Sequence, residues 1–394
     1  MNSKQARPIV GTMIGDPAGV GPEVIARALA TGHVHELSIP VLIGSAAAME
    51  RAVEITGVSC SVRVIRSVDD LSDDPAIIDI IDSGTLTASE LPLAEDTVRG
   101  GEASALWLDE MGALASGGAI AASVMGPISS GSLKLARKVP GIVSPTPGES
   151  YLVLLTGPLR VAHLTDHIPL RRVCEIISPD LVALALRQID GAMRNWGIAR
   201  PRIVVAGLNP HAMGEEDREA IAPGVARARA EGIDVEGPVS PDSVFRQCVE
   251  GRYDIVLAMY HDQGHIAVKT WGFSGNCAII LGPSYLHVTV AHGTAYDIAG
   301  KGTADPAMML SAMRTAASLA AAEDFPRNAD GRMPYFMFGR RRTGRPSFAT
   351  AYIRSPFRSV GSRSGCGCAP DRAPWMSVAP EALCIPHELC RRQR

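Results

Sequence analysis

The sequence predicts an α/β fold with a mostly parallel central sheet, and three observations carry that expectation. Short, near-continuous apolar runs such as "RIVVAGL" and "DIVLAMY" have the character of strands covered on both faces. Amphipathic stretches separate them in regular alternation. The 394 residues, 46% hydrophobic and 20% charged, supply enough core for at least two lobes.

The elements follow in order. "IVGTMIG" reads as the first strand, "PEVIARALA" as a helix with Pro22 near its start, and "IPVLIGS" as the second strand. "AIAASVMG" and "LRVAHLT" are further strands. "PDLVALALRQIDGAMRNWG" is a helix opened by Pro179 and closed by Gly197. "RIVVAGL" and "DIVLAMY" complete the set. No internal repeat interrupts the pattern. After residue 326 periodicity stops, and residues 327–394 carry 13 Arg, no Lys and 4 acids. That Arg-rich tail is +9 while the remainder is -12, and it reads as an appended, disordered segment.

The N-terminus lacks the apolar stretch of a signal peptide, and no apolar run reaches the ~20 residues of a membrane span. The expectation is a cytoplasmic protein with no membrane partner and no nucleic acid for the body. Cys60, Cys174, Cys248 and Cys277 are scattered, as buried small residues are, and suggest no disulfide framework.

Three strands run into histidine: "LRVAHLTDH" leads to His167, "RIVVAGLNPH" to His211 and "DIVLAMYH" to His261. In an open α/β sheet, ligands bind outside the carboxyl ends of the strands, so residues just past those ends converge. One strand-end histidine is ordinarily a hydrogen-bonded edge residue. Three in one context make a ligand set for a divalent transition metal. His163, read as lying inside a strand, and His33, His35 and His387 are set aside.

Two glycine-rich stretches remain. In "HGTAYDIAGKGTADP", residues 292–306, Gly300 and its neighbours allow close backbone approach. His292 offers a flat ring, while Asp297 offers a carboxylate for sugar hydroxyls, which favours NAD over NADP. The plain alternative is a loop and helix cap. In "IGDPAGVGPEVIARAL", residues 14–29, the spacing is not the dinucleotide fingerprint, and the next strand ends without an acid. As a dinucleotide fingerprint it fails; an anion-binding nest, a part of the active-site floor and a tight structural turn stay open.

Together "IGDPAGVGPE", "GLNPHA", "YHDQGH" with Lys269, and "HGTAYDIAGKG" resemble the 4-hydroxythreonine-4-phosphate dehydrogenase (PdxA) family, from about residue 8 to about residue 320. The resemblance implies an isocitrate/isopropylmalate dehydrogenase-like subunit with a cleft between two lobes. Residues 1–127 with 285–326 would form the first lobe, carrying the NAD-binding loop 292–306. Residues 128–284 would form the second lobe, for metal, substrate and dimerisation. It also implies a homodimer, NAD, a divalent metal (Zn, Mg or Co), and a metal site with ligands from both subunits.

Carried over by position, the metal histidines fall on His167, His211 and His261, and Lys269 matches a substrate-binding lysine. Asp305 belongs with His292, Asp297 and Gly300 in the cofactor loop. A substrate-binding His-Thr pair appears as Glu149 and Ser150. A substrate-binding Asn aligns with Ala278, with Asn276 close by, and a substrate-binding Arg aligns with His287. These changes remove positive charge where a phosphate would be held.

The implied reaction is oxidation of a secondary alcohol with hydride passing to NAD, followed by loss of CO2 from the β-keto acid. Asp262 is a proton acceptor or an orienter of His261, and Asp242 a second acidic candidate. Four-carbon acid sugar phosphates (threonate or erythronate 4-phosphate) and aromatic cis-dihydrodiol carboxylates are alternative substrates. A catalytically decayed metal- or nucleotide-binding protein is the alternative of another class.

Overall fold

The computed structural model describes residues 7–84, 86–87, 90–138, 145–272 and 275–326; the Arg-rich tail lies outside them. The first half of the chain supplies β1 (Ile9–Met13), α1 (Gly21–Leu29), β2 (Ile39–Ile43), α2 (Ala46–Thr56), β3 (Ser61–Ile65), β4 (Ile77–Ile81), α3 (Val98–Ser116), β5 (Ala122–Met125) and α4 (Ser130–Leu135). After these come β6 (Tyr151–Thr156), β7 (Leu159–His163), α5 (Leu170–Ile176), α6 (Pro179–Asn195), β8 (Ile203–Ala206), α7 (Ala222–Ala230) and β9 (Val235–Val239). The described elements end with α8 (Val244–Val249), β10 (Ile255–Ala258), α9 (His261–Trp271), β11 (Cys277–Leu281), β12 (Leu286–Val290) and α10 (Ala307–Ala320).

Local chemistry sets the helix ends that the sequence marked. Ser178 accepts from the Leu181 N–H at the start of α6, Pro179 occupies its first turn, and Gly197 just beyond its end takes φ +99°, the left-handed conformation that glycine adopts without strain. Every residue of β5, β7, β8, β10 and β11 is buried, as strands covered on both faces must be.

The twelve strands form one sheet in the order β3-β4-β2-β1-β5-β12-β11-β6-β7-β10-β8-β9. Residues 1–127 and 285–326 supply the half from β3 to β12, and residues 128–284 the half from β11 to β9. Within each half the outer strands are parallel. Between the halves β12 pairs antiparallel with β11, β11 with β6, and β6 with β7. Three reversals leave β7, β10 and β8 running opposite to β1, β5 and β12. The carboxyl ends of the two halves therefore lie at opposite ends of the strands: His167, His211 and His261 follow the mutually parallel β7, β8 and β10 and share one end, while the loop after β12 leaves from the other. Among the described residues no helix is long and apolar enough to cross a membrane.

Candidate metal and cofactor site

At the carboxyl end of β7 and β10 the chain gathers four imidazoles. Leu164 N–H donates to Ala258 O at 2.8 Å, and Thr165 Oγ1 donates to Met259 O at 2.8 Å. These bonds hold the segment after β7 against the end of β10 and carry His167 to His261, with ring centroids 4.7 Å apart. His261 opens α9, so a helix begins where the strand stops. Gln263 secures that start, accepting from Met259 N–H at 2.7 Å and donating to Gly207 O at 2.8 Å.

Because α9 is helical, His261 and His265 sit one turn apart on one face, and their rings stack at 3.7 Å. His163, at the end of β7, lies 4.8 Å from His265. Its Nδ1 is 3.0 Å from Leu152 O and its Nε2 has no partner among the described residues. Burial pushes His163 down to about 3 and His265 down to about 4, with neighbouring imidazoles adding to both shifts. Both rings are neutral near pH 7. The sequence reading sets His163 aside and gives His265 no ligand role, although the i, i+4 spacing within "HLTDH" and "HDQGH" is an available signal.

Two of the three expected metal ligands are brought together, with a carboxylate that the sequence reading did not name. One ligand atom from each of Asp166, His167 and His261 lies within 4.8 Å of the others. Asp166 is buried, its Oδ2 lies 3.0 Å from His167 Nδ1, and its Oδ1 has no partner among the described residues. Asp262, on the exposed side, accepts from His261 Nδ1 at 2.7 Å, which fixes the tautomer and orientation of that ring. That bond is the first cause of the lowered Asp262 pKa. A borderline divalent cation suits two imidazoles and a carboxylate, so the residues fit the implied metal.

His211 stands outside this group, exposed, in a short turn where it and Ala212 both take φ +56°. That turn is held from beneath by Asp217, a buried carboxylate accepting from the N–H groups of Leu208, Asn209 and Gly214 at 2.7, 3.2 and 2.9 Å. No sequence motif pointed to Asp217.

The other expected residues divide by strand end. Lys269 is exposed on α9, close enough to lower the His265 and Asp262 pKa values. Ser150 directly precedes β6, at the His163 end of the sheet, and accepts from Thr146 N–H at 2.9 Å. His287 is fully buried on β12, opposite Ile280 and Ser123, with Ser123 Oγ 2.8 Å from its Nδ1. Register places it about 14 Å across the sheet from His163, and at 0% exposure it offers a substrate no surface. Asn276, at the other end of β11, has both amide atoms buried and unpartnered among the described residues. Asp242 is an exposed turn residue accepting from Ser240 Oγ at 2.7 Å.

The loop 292–306 follows β12 and packs on the carboxyl end of β1. Asp297 is exposed; its backbone C=O accepts from Lys301 Nζ at 2.6 Å. His292 Nδ1 lies 2.8 Å from Gly293 O. Asp305 caps α10 through Ala307 N–H at 2.9 Å. The Gly300 N–H is taken by Glu23 at 2.6 Å, so Gly300 contributes shape and no free donor. Among the described residues no hydrogen bond or ion pair joins this loop to the histidine cluster.

Residues 36–316 match the family model described as "Pyridoxal phosphate biosynthetic protein PdxA". A relative from Novosphingobium aromaticivorans, described as "Putative 4-hydroxythreonine-4-phosphate dehydrogenase", is 68% identical over 323 residues, covering 82% of this chain and 98% of the relative. One from Symbiobacterium thermophilum, described as "Putative D-threonate 4-phosphate dehydrogenase", is 36% identical, covering 80% and 98%. The crystal structure of a 4-hydroxythreonine-4-phosphate dehydrogenase from Burkholderia phymatum superposes with a TM-score of 0.72 at 34% identity, covering 80% of this chain and 99% of that one. Likeness of this extent makes the chain an α/β dehydrogenase acting on a CH–OH group. It belongs to the PdxA family.

Proposed function

We propose that this chain oxidises the secondary alcohol of 4-hydroxythreonine 4-phosphate, or of a close four-carbon analogue such as threonate 4-phosphate, with NAD as hydride acceptor and loss of CO2 from the product. The names of its relatives support the substrate class. The observation that carries the chemistry is the meeting of Asp166, His167 and His261. A bound divalent cation there supplies Lewis acidity toward an alcohol and an adjacent carboxylate. Asp262 holds His261 in one orientation, and Lys269 brings positive charge beside the same helix face. Ser150 reaches the same end of the sheet; Asp297 and His292 present the cofactor-binding face of the loop.

His211 completes the ligand set from a second copy in this reading, as the family resemblance implies. Exposed apolar side chains support that view: Met213 beside the His211 turn, Ile266 and Trp271 on α9, and Leu170 on α5 are all large and 41–71% exposed. Large apolar side chains exposed in one copy are available for association with a second. Residues 128–284, which carry both the histidines and this apolar surface, act as the metal and dimerisation lobe.

The test is NADH formation by the purified chain with 4-phosphohydroxythreonine, threonate and erythronate 4-phosphates, and a dihydrodiol carboxylate, each with Zn, Mg or Co and again after chelation. Turnover confined to a phosphorylated acid and abolished by chelator is expected. No NADH from any substrate with any metal would overturn the proposal.

A further inference from the structure

The structure ties the motif at residues 14–29 to the loop at residues 292–306. Gly300 and Gly302 take left-handed φ of +79° and +60°, and their N–H groups point at one carboxylate. Glu23 Oε1 accepts from Gly300 at 2.6 Å and Oε2 from Gly302 at 2.9 Å. Backbone N–H groups converging in such a conformation form an anion-binding nest, and here an internal anion, 2% exposed, fills it. One helical turn on, Arg27 donates to Gly302 O and Ala304 O, both at 3.0 Å. The same motif adds Val20 N–H donating to Thr294 O at 2.9 Å and Asp16, whose Oδ2 lies 3.4 Å from the Tyr296 hydroxyl. Gly19 fits only without a side chain, since a Cβ there would come 2.9 Å from Thr294 O.

We infer that Glu23 is a positioning residue for the cofactor: its carboxylate occupies the nest of Gly300 and Gly302 and so fixes the loop from which Asp297 and His292 meet the nucleotide. This rests on the NAD reading above. Two consequences separate it from a general packing role. The glycine amides are not donors to a cofactor phosphate, because both are satisfied and a second anion would face a buried negative charge. Nucleotide affinity, and not metal affinity, depends on Glu23, because the loop is tied to α1 and the histidines to β7, β10 and α9.

Glu23→Gln keeps the side-chain shape and removes the charge that both amides use. Hydrogen exchange at residues 298–304, NAD affinity by calorimetry, and Co2+ affinity are measured on the full chain. Faster exchange at Gly300 and Gly302, NAD binding weaker by about tenfold, and Co2+ affinity unchanged are expected, with KM for NAD rising and kcat at saturating NAD preserved. Arg27→Gln, on the solvent side of the same clamp, should shift exchange and NAD affinity the same way by a smaller factor and serves if the Glu23 variant does not fold. Unchanged exchange at both glycines in the folded variants would overturn the inference, as would unchanged NAD affinity. A parent chain that binds no NAD sinks the cofactor reading instead, and the exchange data then still decide whether Glu23 holds the loop.

Discussion

The rings of His261 and His265 stack 3.7 Å apart with their planes 14° from parallel. His265 Nδ1 also lies 3.1 Å from His261 O, so the second imidazole braces both the ring and the backbone of the first. His265 offers His261 a flat neutral wall. Replacing it with Ala leaves the His261 ring free to rotate about its side-chain bonds. Co2+ affinity is expected to fall by about tenfold, with Phe at 265 recovering part of the loss by restoring the flat contact. Titration of Co2+ into the three proteins measures this, and equal affinities would mean that the stack is incidental.

Asp166 makes a stronger prediction, because it is buried and Asp262 is not. Its Oδ1 is unpartnered among the described residues while its Oδ2 touches His167, an arrangement that costs stability unless a cation or donor completes it. Asp166→Ala is expected to lower metal affinity by about 10–100-fold and to leave the metal-free protein no less stable. Asp262→Ala, at a side chain 72% exposed, should lower it less. Metal titration paired with chemical denaturation of the metal-free proteins checks the ranking; a loss of metal-free stability without a loss of affinity would make Asp166 merely structural.

Gly264 lies mid-helix in α9, where Ala would ordinarily gain about 1 kcal/mol of helix propensity. Here a Cβ would sit 2.3 Å from His163 Nε2 and 2.7 Å from Val161 Cγ1. His163 cannot retreat without giving up its contact with Leu152 O. Overpacking should win, so Gly264→Ala is expected to destabilise the fold by about 1–3 kcal/mol. Urea denaturation measures it, and a stabilised variant would show that the helix shifts at no cost.

The parallel strands, the helices at α1 and α6 and the convergence of His167 with His261 were legible in the sequence, since apolar runs and their carboxyl ends are local signals. The reversal of direction between the two halves was not. It depends on the antiparallel insertion of β11 and β6, and no local pattern distinguishes a fully buried antiparallel strand from a parallel one. The helical start at His261 was hidden for another reason: Tyr260 makes no side-chain cap, so the usual marker residue is missing. Glu23 escaped because it acts on a loop that only the tertiary fold brings near, whereas Asp166 and Asp217 bind groups nearby in the chain through contacts that no residue pattern marks. Gly300 was legible as a backbone that something approaches closely; the sequence did not reveal that the approaching group is Glu23.

His287 is one of the buried imidazoles that make the fold sensitive to acid. Burial lowers it from 6.5 to about 4, and Ser123 satisfies one ring nitrogen while Nε2 has no partner among the described residues. The native ring is therefore neutral where the unfolded ring takes up a proton. The unfolded state binds more protons as pH falls below 6.5, so stability is whole above that value and is lost toward pH 4, by about 1.4 kcal/mol per unit and on the order of 3 kcal/mol in all. His287→Leu removes this titration while His163, lowered to about 3, titrates alike in both proteins and cancels in their difference. Unfolding free energies measured from pH 8 to pH 4 should show the parent losing ground against the variant only below pH 6.5. Curves that stay parallel throughout that range would mean that His287 is protonated in the folded chain and that its burial is not what holds it neutral.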